Sequence, residues 1–330
     1  MFGGLQLRPY QLLCLFCAQG GDIPEPQRSV VSRAADAIRQ RPDLPVTLRC
    51  LAQDVYAYQD VEPAAGESGS TEFRRKRDLD ILQCLDLPPG STLPARTLLF
   101  RVLKAITTTE GLCDSAGATS TTWRGCPASL LGQFERGLTG GLAALAPLRS
   151  TEEMARDKAA SVAAMHEGNT LRIRPHVIMC AVCNYGKCGG HPEPLAADNI
   201  VEFVEIIRER PDDVQIEMAP GADWMICAPC PQRVPELNAC VNVAGSGGLS
   251  NEKRDLDLLR VLDLAYGAAL PARDMLRLLF TRVPDTSPIC RRCNPGLSVW
   301  WDGCGEANCL GGNAGYVAGR KLLCDELHLD

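Results

Sequence analysis

The chain has 330 residues, a net charge of −6, 45% apolar and 22% charged residues. That balance belongs to a folded chain, not a disordered or fibrous one. It offers no basic face to nucleic acid or an anionic membrane, and no apolar run nears the roughly 20 residues a membrane span needs. Cysteine is the exception to this ordinary composition, at seventeen residues. An odd total does not suit complete pairing, and clustered thiols in a reducing compartment more often serve metals or redox chemistry than bridges. The expected compartment is therefore the cytosol.

The opening apolar run, Leu12–Ala18, has neither the positive flank nor the small-residue cleavage site of a secretion signal. The same stretch also recurs inside the chain, so it is part of a domain. Leu7-Arg-Pro-Tyr-Gln-Leu-Leu-Cys14-Leu-Phe-Cys17 lines up with Ile173-Arg-Pro-His-Val-Ile-Met-Cys180-Ala-Val-Cys183. In unbroken order Ile38-Arg-Gln-Arg-Pro-Asp matches Ile207-Arg-Glu-Arg-Pro-Asp, and Lys76-Arg-Asp-Leu-Asp matches Lys253-Arg-Asp-Leu-Asp. Leu93-Pro-Ala-Arg then matches Leu270-Pro-Ala-Arg, Cys113 matches Cys290, Trp123 matches Trp300, and Cys126 matches Cys304. Repeats this long indicate a tandem pair of domains and not a solenoid.

Each copy opens on an apolar segment carrying Cys-x-x-Cys. Next comes a helix, Ser29–Gln40 or Leu195–Arg210, with apolar residues at three-to-four spacing, ended by Arg-Pro-Asp. A short alternating strand follows, Pro45–Arg49 or Val214–Met218. Two helices come after it: Arg74–Leu87 and Pro94–Ile106, matched by Asn251–Leu264 and Pro271–Val283. Pro94 and Pro271 are expected in a first helical turn. A Gly/Cys-rich tail closes each copy. The expected architecture is α+β, mainly helical, with two homologous tandem domains at residues 1–138 and 171–330. Residues 139–170 are expected to be a linker that packs, with a helix over Thr151–His166.

The repeat sorts the cysteines. Cys14, Cys17, Cys113 and Cys126 have mates in Cys180, Cys183, Cys290 and Cys304. The second copy alone has Cys188, Cys227, Cys230, Cys240, Cys293, Cys309 and Cys324. Where it carries Asp223-Trp-Met-Ile-Cys227-Ala-Pro-Cys230-Pro, the first copy has Asp54-Val-Tyr-Ala-Tyr58 and no thiol. Two thiols three residues apart on a turn, with a third nine residues on, outline a soft-metal chelate.

From Ile173-Arg-Pro-His176 through Met179-Cys180 to Asp223, Cys227, Cys230-Pro and Cys240, the second copy resembles a bacterial and archaeal family, domain of unknown function 1284. That family is described as probable iron–sulfur binding. The resemblance covers residues 171–283 and implies Cys180, Cys227, Cys230 and Cys240 as cluster ligands. In the first copy only the opening matches, with Tyr10 in place of His.

Two groupings of the other thiols are open. Either Cys180 serves the Cys227 site and Cys183, Cys290, Cys293 and Cys304 form another, or the Cys-x-x-Cys acts as a unit. In the second case Cys180, Cys183, Cys290 and Cys304 form one site, as Cys14, Cys17, Cys113 and Cys126 would in the first copy. Thiolates in Cys-x-x-Cys pairs suit both iron–sulfur clusters and structural zinc. The wide separation of Cys183 from Cys227 favours a cluster, with zinc as the alternative. The functional expectation is electron transfer or redox sensing with a redox partner protein. A zinc-stabilised interaction module and a metal-dependent enzyme with an open coordination position are the competing classes.

Simpler readings stand beside these. Cys50 and Cys84 are expected to be ordinary buried thiols, and His176 a hydrogen-bonded histidine at a domain edge. His191 is a minor ligand candidate. Arg74–Arg77 reads as a solvated helix start, and the Asp-x-Asp pairs as caps or salt bridges. Cys227-Ala-Pro-Cys230 resembles a thioredoxin tetrapeptide, but Pro231 and Pro235 spoil the helix that would follow. None of the four Cys-x-x-Cys pairs precedes a His, and no Walker loop, dinucleotide fingerprint or Ser/His/Asp set is present.

Overall fold

The structure is a computed structural model that describes residues 4–25, 27–50, 67–114, 116–241, 248–290 and 313–329. It divides into two compact units, Met1–Leu148 and Arg149–Asp330. The fold is α+β and mainly helical, with two small mixed sheets and a two-stranded ribbon among the described residues.

In the first unit the order is β1 (Leu5–Leu7), α1 (Pro9–Gly20), α2 (Gln27–Gln40), β2 (Pro45–Leu48), α3 (Thr71–Cys84), β3 (Thr92–Pro94), α4 (Ala95–Ala105) and α5 (Gln133–Leu138). The second unit runs α6 (Thr151–Glu167), β4 (Thr170–Ile173), α7 (Pro175–Lys187), α8 (Ile200–Glu209), β5 (Gln215–Met218), α9 (Trp224–Cys227), β6 (Arg233–Val234), β7 (Ala239–Cys240), α10 (Leu249–Leu262), β8 (Ala269–Pro271), α11 (Ala272–Arg282), α12 (Ser287–Cys290) and α13 (Ala314–Leu327).

The Cys-x-x-Cys segments become α1 and α7. Each starts with proline at its first position, where a missing N–H costs nothing. Leu12, Leu13, Leu15 and Phe16 are all fully buried, as are Ile178, Met179, Ala181, Val182 and Tyr185. A helix apolar nearly all round must be covered on most sides; α2, α3, α4 and α5 pack on α1, and α8, α10 and α13 pack on α7.

Each unit holds one three-stranded sheet with a parallel and an antiparallel pair. β1 lies parallel to β2 (Leu5 opposite Val46), which lies antiparallel to β3 (Val46 opposite Leu93). β4 lies parallel to β5 (Leu171 opposite Ile216), which lies antiparallel to β8 (Ile216 opposite Leu270). The recurring sequence fragments turn out to touch each other. In the first unit Ala95 and Arg96 donate backbone N–H groups to Leu44 and Pro42, and the Arg96 guanidinium pairs with Asp43 at 3.4 Å. In the second, Ala272 and Arg273 donate to Val214 and Pro211, and Arg273 pairs with Asp212 at 2.6 Å.

The closing helices cross the central ones at backbone contact. A Cβ on Gly137 would run into the Phe16 carbonyl, and one on Gly20 into that of Gln133. In the second unit Gly319 meets the Val182 carbonyl and Gly186 that of Gly315 in the same way.

Several expectations need correction. The Gly/Cys-rich tails contain α5 and α13, and strands β1, β3, β4 and β8 were not foreseen. Pro94 and Pro271 end strands and cap the helices that follow, instead of lying inside them. Helix α6 is no linker, because Met165 lies in the second unit's core and the boundary falls ahead of the helix. Cys84 is exposed, whereas Cys50 is buried as expected. Among the described residues no helix is long and apolar enough to cross a membrane.

Because these glycines allow backbone-to-backbone contact, Gly137→Ala and Gly319→Ala should each lower the free energy of unfolding in urea by about 1–3 kcal/mol, the usual cost of overpacking. Variants within a few tenths of a kcal/mol of the natural protein would mean the helices can part freely.

Candidate functional site

The site is built on a buried ion pair at the start of each central helix. Arg8 caps α1, and its Nε donates to Asp78 Oδ2 on α3 at 3.0 Å. Arg174 caps α7, and its Nε donates to Asp255 Oδ2 on α10 at 2.8 Å. Neither carboxylate has measurable exposure. A buried charge is tolerable only when paired and hydrogen-bonded, so these pairs fix how each central helix meets its neighbour.

The residue two positions past each arginine differs, and the carboxylates respond. His176 gives Asp255 Oδ1 two donors, its backbone N at 3.0 Å and its Nδ1 at 2.6 Å. Burial alone would raise Asp255, but His176 and Arg174 together hold its carboxyl below the usual range. The His176 ring is held below its own usual value, chiefly by burial; it is a buried residue, not one at a domain edge. In the first unit Tyr10 replaces it, and Asp78 Oδ1 has no partner among the described residues. Burial therefore prevails and pushes Asp78 up to about 6, despite Arg8 and Arg77. Arg77, read in the sequence as solvated, is also buried. It pairs with Glu67 and lies 3.8 Å from the centre of the Tyr10 ring.

Four thiols gather beside this pair in the first unit. Cys14 and Cys17 project from successive turns of α1, and Cys113 and Cys126 come from the segment after α4. All four line one cavity of about 40 Å³ together with Tyr10, Arg77 and Ser129. Cys126 N donates to the Cys113 carbonyl at 2.7 Å, which closes the second pair. Burial first, then the neighbouring thiols, pushes Cys14, Cys17 and Cys113 up, Cys113 to about 12. Arg77 draws Cys14 and Cys113 back.

In the second unit the trio Cys227, Cys230 and Cys240 comes together through local turns. Asp223 accepts from Met225 N at 3.0 Å and so caps α9, the single helical turn that ends at Cys227. Cys230 N then donates to the Cys227 carbonyl at 3.0 Å. The β6–β7 ribbon sets Cys240 opposite Arg233, three residues past Cys230. Asn251 Nδ2 lies 3.4 Å from Cys240 Sγ. Burial first, then Cys230 and Cys240, raises the Cys227 thiol, while Arg174 lowers it. Asp198 adds its charge to both Cys227 and Cys230. Helix α6 serves this turn too, because Arg149 donates to the carbonyls of Ala228 and Cys230, the latter at 3.2 Å. That contact is not legible in the sequence, because an arginine just before a helix cap is too common to stand out.

Cys180 and Cys183 share one face of α7. Cys183 lies with Cys290 beside the Tyr316 hydroxyl, whose pKa is raised by burial first and by both thiols in smaller part. Cys293, Cys304, Cys309 and the Asp54–Tyr58 stretch lie outside the described residues. His191 is exposed on the turn after α7.

Among the described residues, no three His, Cys, Asp or Glu side chains stand close enough round one point to hold a metal ion. The donor chemistry, thiols in sets of three and four, fits a soft metal. A single tetrahedral ion needs its sulfurs roughly 3.8 Å apart for metal–sulfur bonds near 2.3 Å. A polynuclear cluster takes its ligands on separate irons and accepts a wider ring. Searches with this chain match no family model, no curated protein and no solved structure.

The two ion pairs give opposite pH behaviour. Asp78 binds its proton more tightly folded than unfolded, so its contribution to stability is full below about pH 4 and is lost as pH rises through about 6. A shift of this size corresponds to about 3 kcal/mol. Asp78→Asn should flatten that fall in urea titrations between pH 4 and 7. Asp255→Asn should instead destabilise by roughly 3–5 kcal/mol at pH 7, since it strips Arg174 of its buried partner.

Proposed function

We propose that this is a metal–thiolate protein of the cytosol that holds an iron–sulfur cluster and serves electron transfer or redox sensing with a redox partner protein. The observation that carries the reading is the Cys227–Cys230 turn, onto which a two-stranded ribbon folds back Cys240 beside the buried Arg174 guanidinium. Thiols in such a set are not placed for disulfide exchange. Burial raises Cys227 and Cys230 above the usual thiol range, so these two become nucleophiles or ligands only when a cation displaces their protons. When bound, a cluster supplies the one-electron chemistry. The chain supplies the thiolates and sets a fixed positive charge, Arg174, next to two of the ligands. The resemblance to domain 1284 adds Cys180 as the fourth ligand.

The two units are best understood as diverged copies of one domain. Support comes from the equivalent ion pairs Arg8–Asp78 and Arg174–Asp255 and from the paired glycine crossings of α1 with α5 and α7 with α13. Chance similarity of sequence would not reproduce either. The divergence then falls on the thiols, with the Cys227 group confined to the second copy.

Zinc is the rival for the same donors, since a turn of two thiols followed by a hairpin is a setting structural zinc also uses. Anaerobically purified protein should be brown and should contain iron and acid-labile sulfide. Cys230→Ser and Cys180→Ser should each remove the iron of one cluster, and the exposed Cys84→Ser should remove none. Colourless protein holding stoichiometric zinc would replace the cluster by a structural ion. Protein that takes up neither metal would overturn the reading.

A further inference from the structure

We propose that the first unit's cavity is a second, independent cluster site, in which Cys14, Cys17, Cys113 and Cys126 hold a polynuclear iron–sulfur group and the Tyr10 hydroxyl donates a hydrogen bond to its sulfur. The proposal rests on the metal–thiolate reading but not on the residues that carry it.

The four thiols reach the cavity from separate parts of the unit, and its backbone is built to bring them there. Gly125 passes so tightly between the Cys113 carbonyl and the Phe73 ring that no Cβ fits, which sets Cys126 against Cys113. A set of four thiols acting only as small apolar side chains would be packed closed. Instead they border a cavity of about 40 Å³, large enough for a few water-sized groups.

The cavity also has a polar lining. Tyr10 is 3% exposed and Ser129 5% exposed, both line the cavity, and neither hydroxyl has a partner among the described residues. Leaving a buried hydroxyl unbonded costs about 1–3 kcal/mol. An aliphatic ligand would leave that cost in place, whereas sulfide and thiolate sulfurs accept such bonds and so remove it. Tyr10 and the four thiols line the same cavity, and the Tyr10 hydroxyl feels the charges of Cys14 and Glu67. Arg77 stacks on the other side of the picture: its guanidinium covers the Tyr10 ring and its charge is felt by Cys14 and Cys113. A site for four thiolates needs a nearby cation, and this one has it.

Binding exchanges four thiol protons for four iron–sulfur bonds, with sulfide and a mixture of ferrous and ferric iron as the reagents. Supplied in the ratio the cluster holds, the two iron states leave no electron to be gained or lost in that step.

The test is anaerobic reconstitution of the full chain with mixed ferrous and ferric iron and sulfide, followed by counts of iron and sulfide per chain. The Cys113→Ser/Cys126→Ser double variant should lose one cluster's iron and sulfide while keeping what Cys230→Ser loses, and the two losses should add when combined. Tyr10→Phe keeps every ligand. It should retain the iron but lower the reduction potential of one centre only, because donation to cluster sulfur favours the reduced state. If the double variant holds the full iron complement while Cys230→Ser does not, the first-unit site is absent and the main reading stands. If Cys230→Ser changes nothing but the double variant loses iron, the reverse holds. A potential unmoved by Tyr10→Phe in protein that carries both centres would overturn the hydrogen bond, and zinc uptake alone would overturn the cluster.

Discussion

Each unit depends on a guanidinium–carboxylate pair sealed beneath the start of its central helix. Arg8 and Arg174 are the capping residues of α1 and α7, so they lie where the chain turns from a strand into an apolar helix. Their partners sit on α3 and α10, helices farther along the chain. One ion pair thus ties together a strand end, a helix start and a helix from farther along the chain. Such a pair adds little net stability over an apolar substitute, because removing two charges from water costs nearly what their attraction returns. Its worth lies in permitting one arrangement: any shift of α3 or α10 along the central helix would strand a buried charge.

That requirement places a positive charge next to thiols. Arg174 lowers Cys227, and Arg77, held by Glu67 and stacked on Tyr10, lowers Cys14 and Cys113. The opposing effect, burial, is larger in every case. The protein in this state therefore presents neutral thiols within reach of cations, a combination that favours a ligand able to displace protons and carry the resulting negative charge. Free thiolates, which a nucleophilic or exchange mechanism would need, are disfavoured by the same burial.

Much of the frame was legible because the repeated fragments are contact partners. Arg-Pro-Asp and Leu-Pro-Ala-Arg recur since Asp43 meets Arg96 and Asp212 meets Arg273, and Lys-Arg-Asp-Leu-Asp recurs since its first Asp holds the capping arginine. The short strands were not legible, as three residues give no room for alternation to appear. Nor were α5 and α13. Their sequences share little beyond an aromatic residue and a glycine three positions on, Phe134 with Gly137 and Tyr316 with Gly319, and that spacing becomes meaningful only when the crossing is seen. The grouping of Cys240 with Cys227 was readable from spacing, whereas the cavity around Cys14 and Cys113 needed the fold, because about a hundred residues of chain separate those thiols.

The position after the conserved-looking Arg-Pro shows how one frame supports two environments. The ion pair needs only one oxygen of its carboxylate, so the second oxygen is free to be used or left. With His176 it is used twice, the carboxyl stays acidic, and the imidazole is locked to α10. With Tyr10 it has no partner among the described residues, Asp78 rises, and Arg77 covers the tyrosine ring. The histidine spends its polar capacity on the frame, whereas the tyrosine hydroxyl has no partner among the described residues. Since neither choice disturbs Arg8–Asp78 or Arg174–Asp255, the frame places no restraint on this position. The side chain there is set by what lies beside the thiols, which makes it the point at which the two units can differ in chemistry without differing in fold.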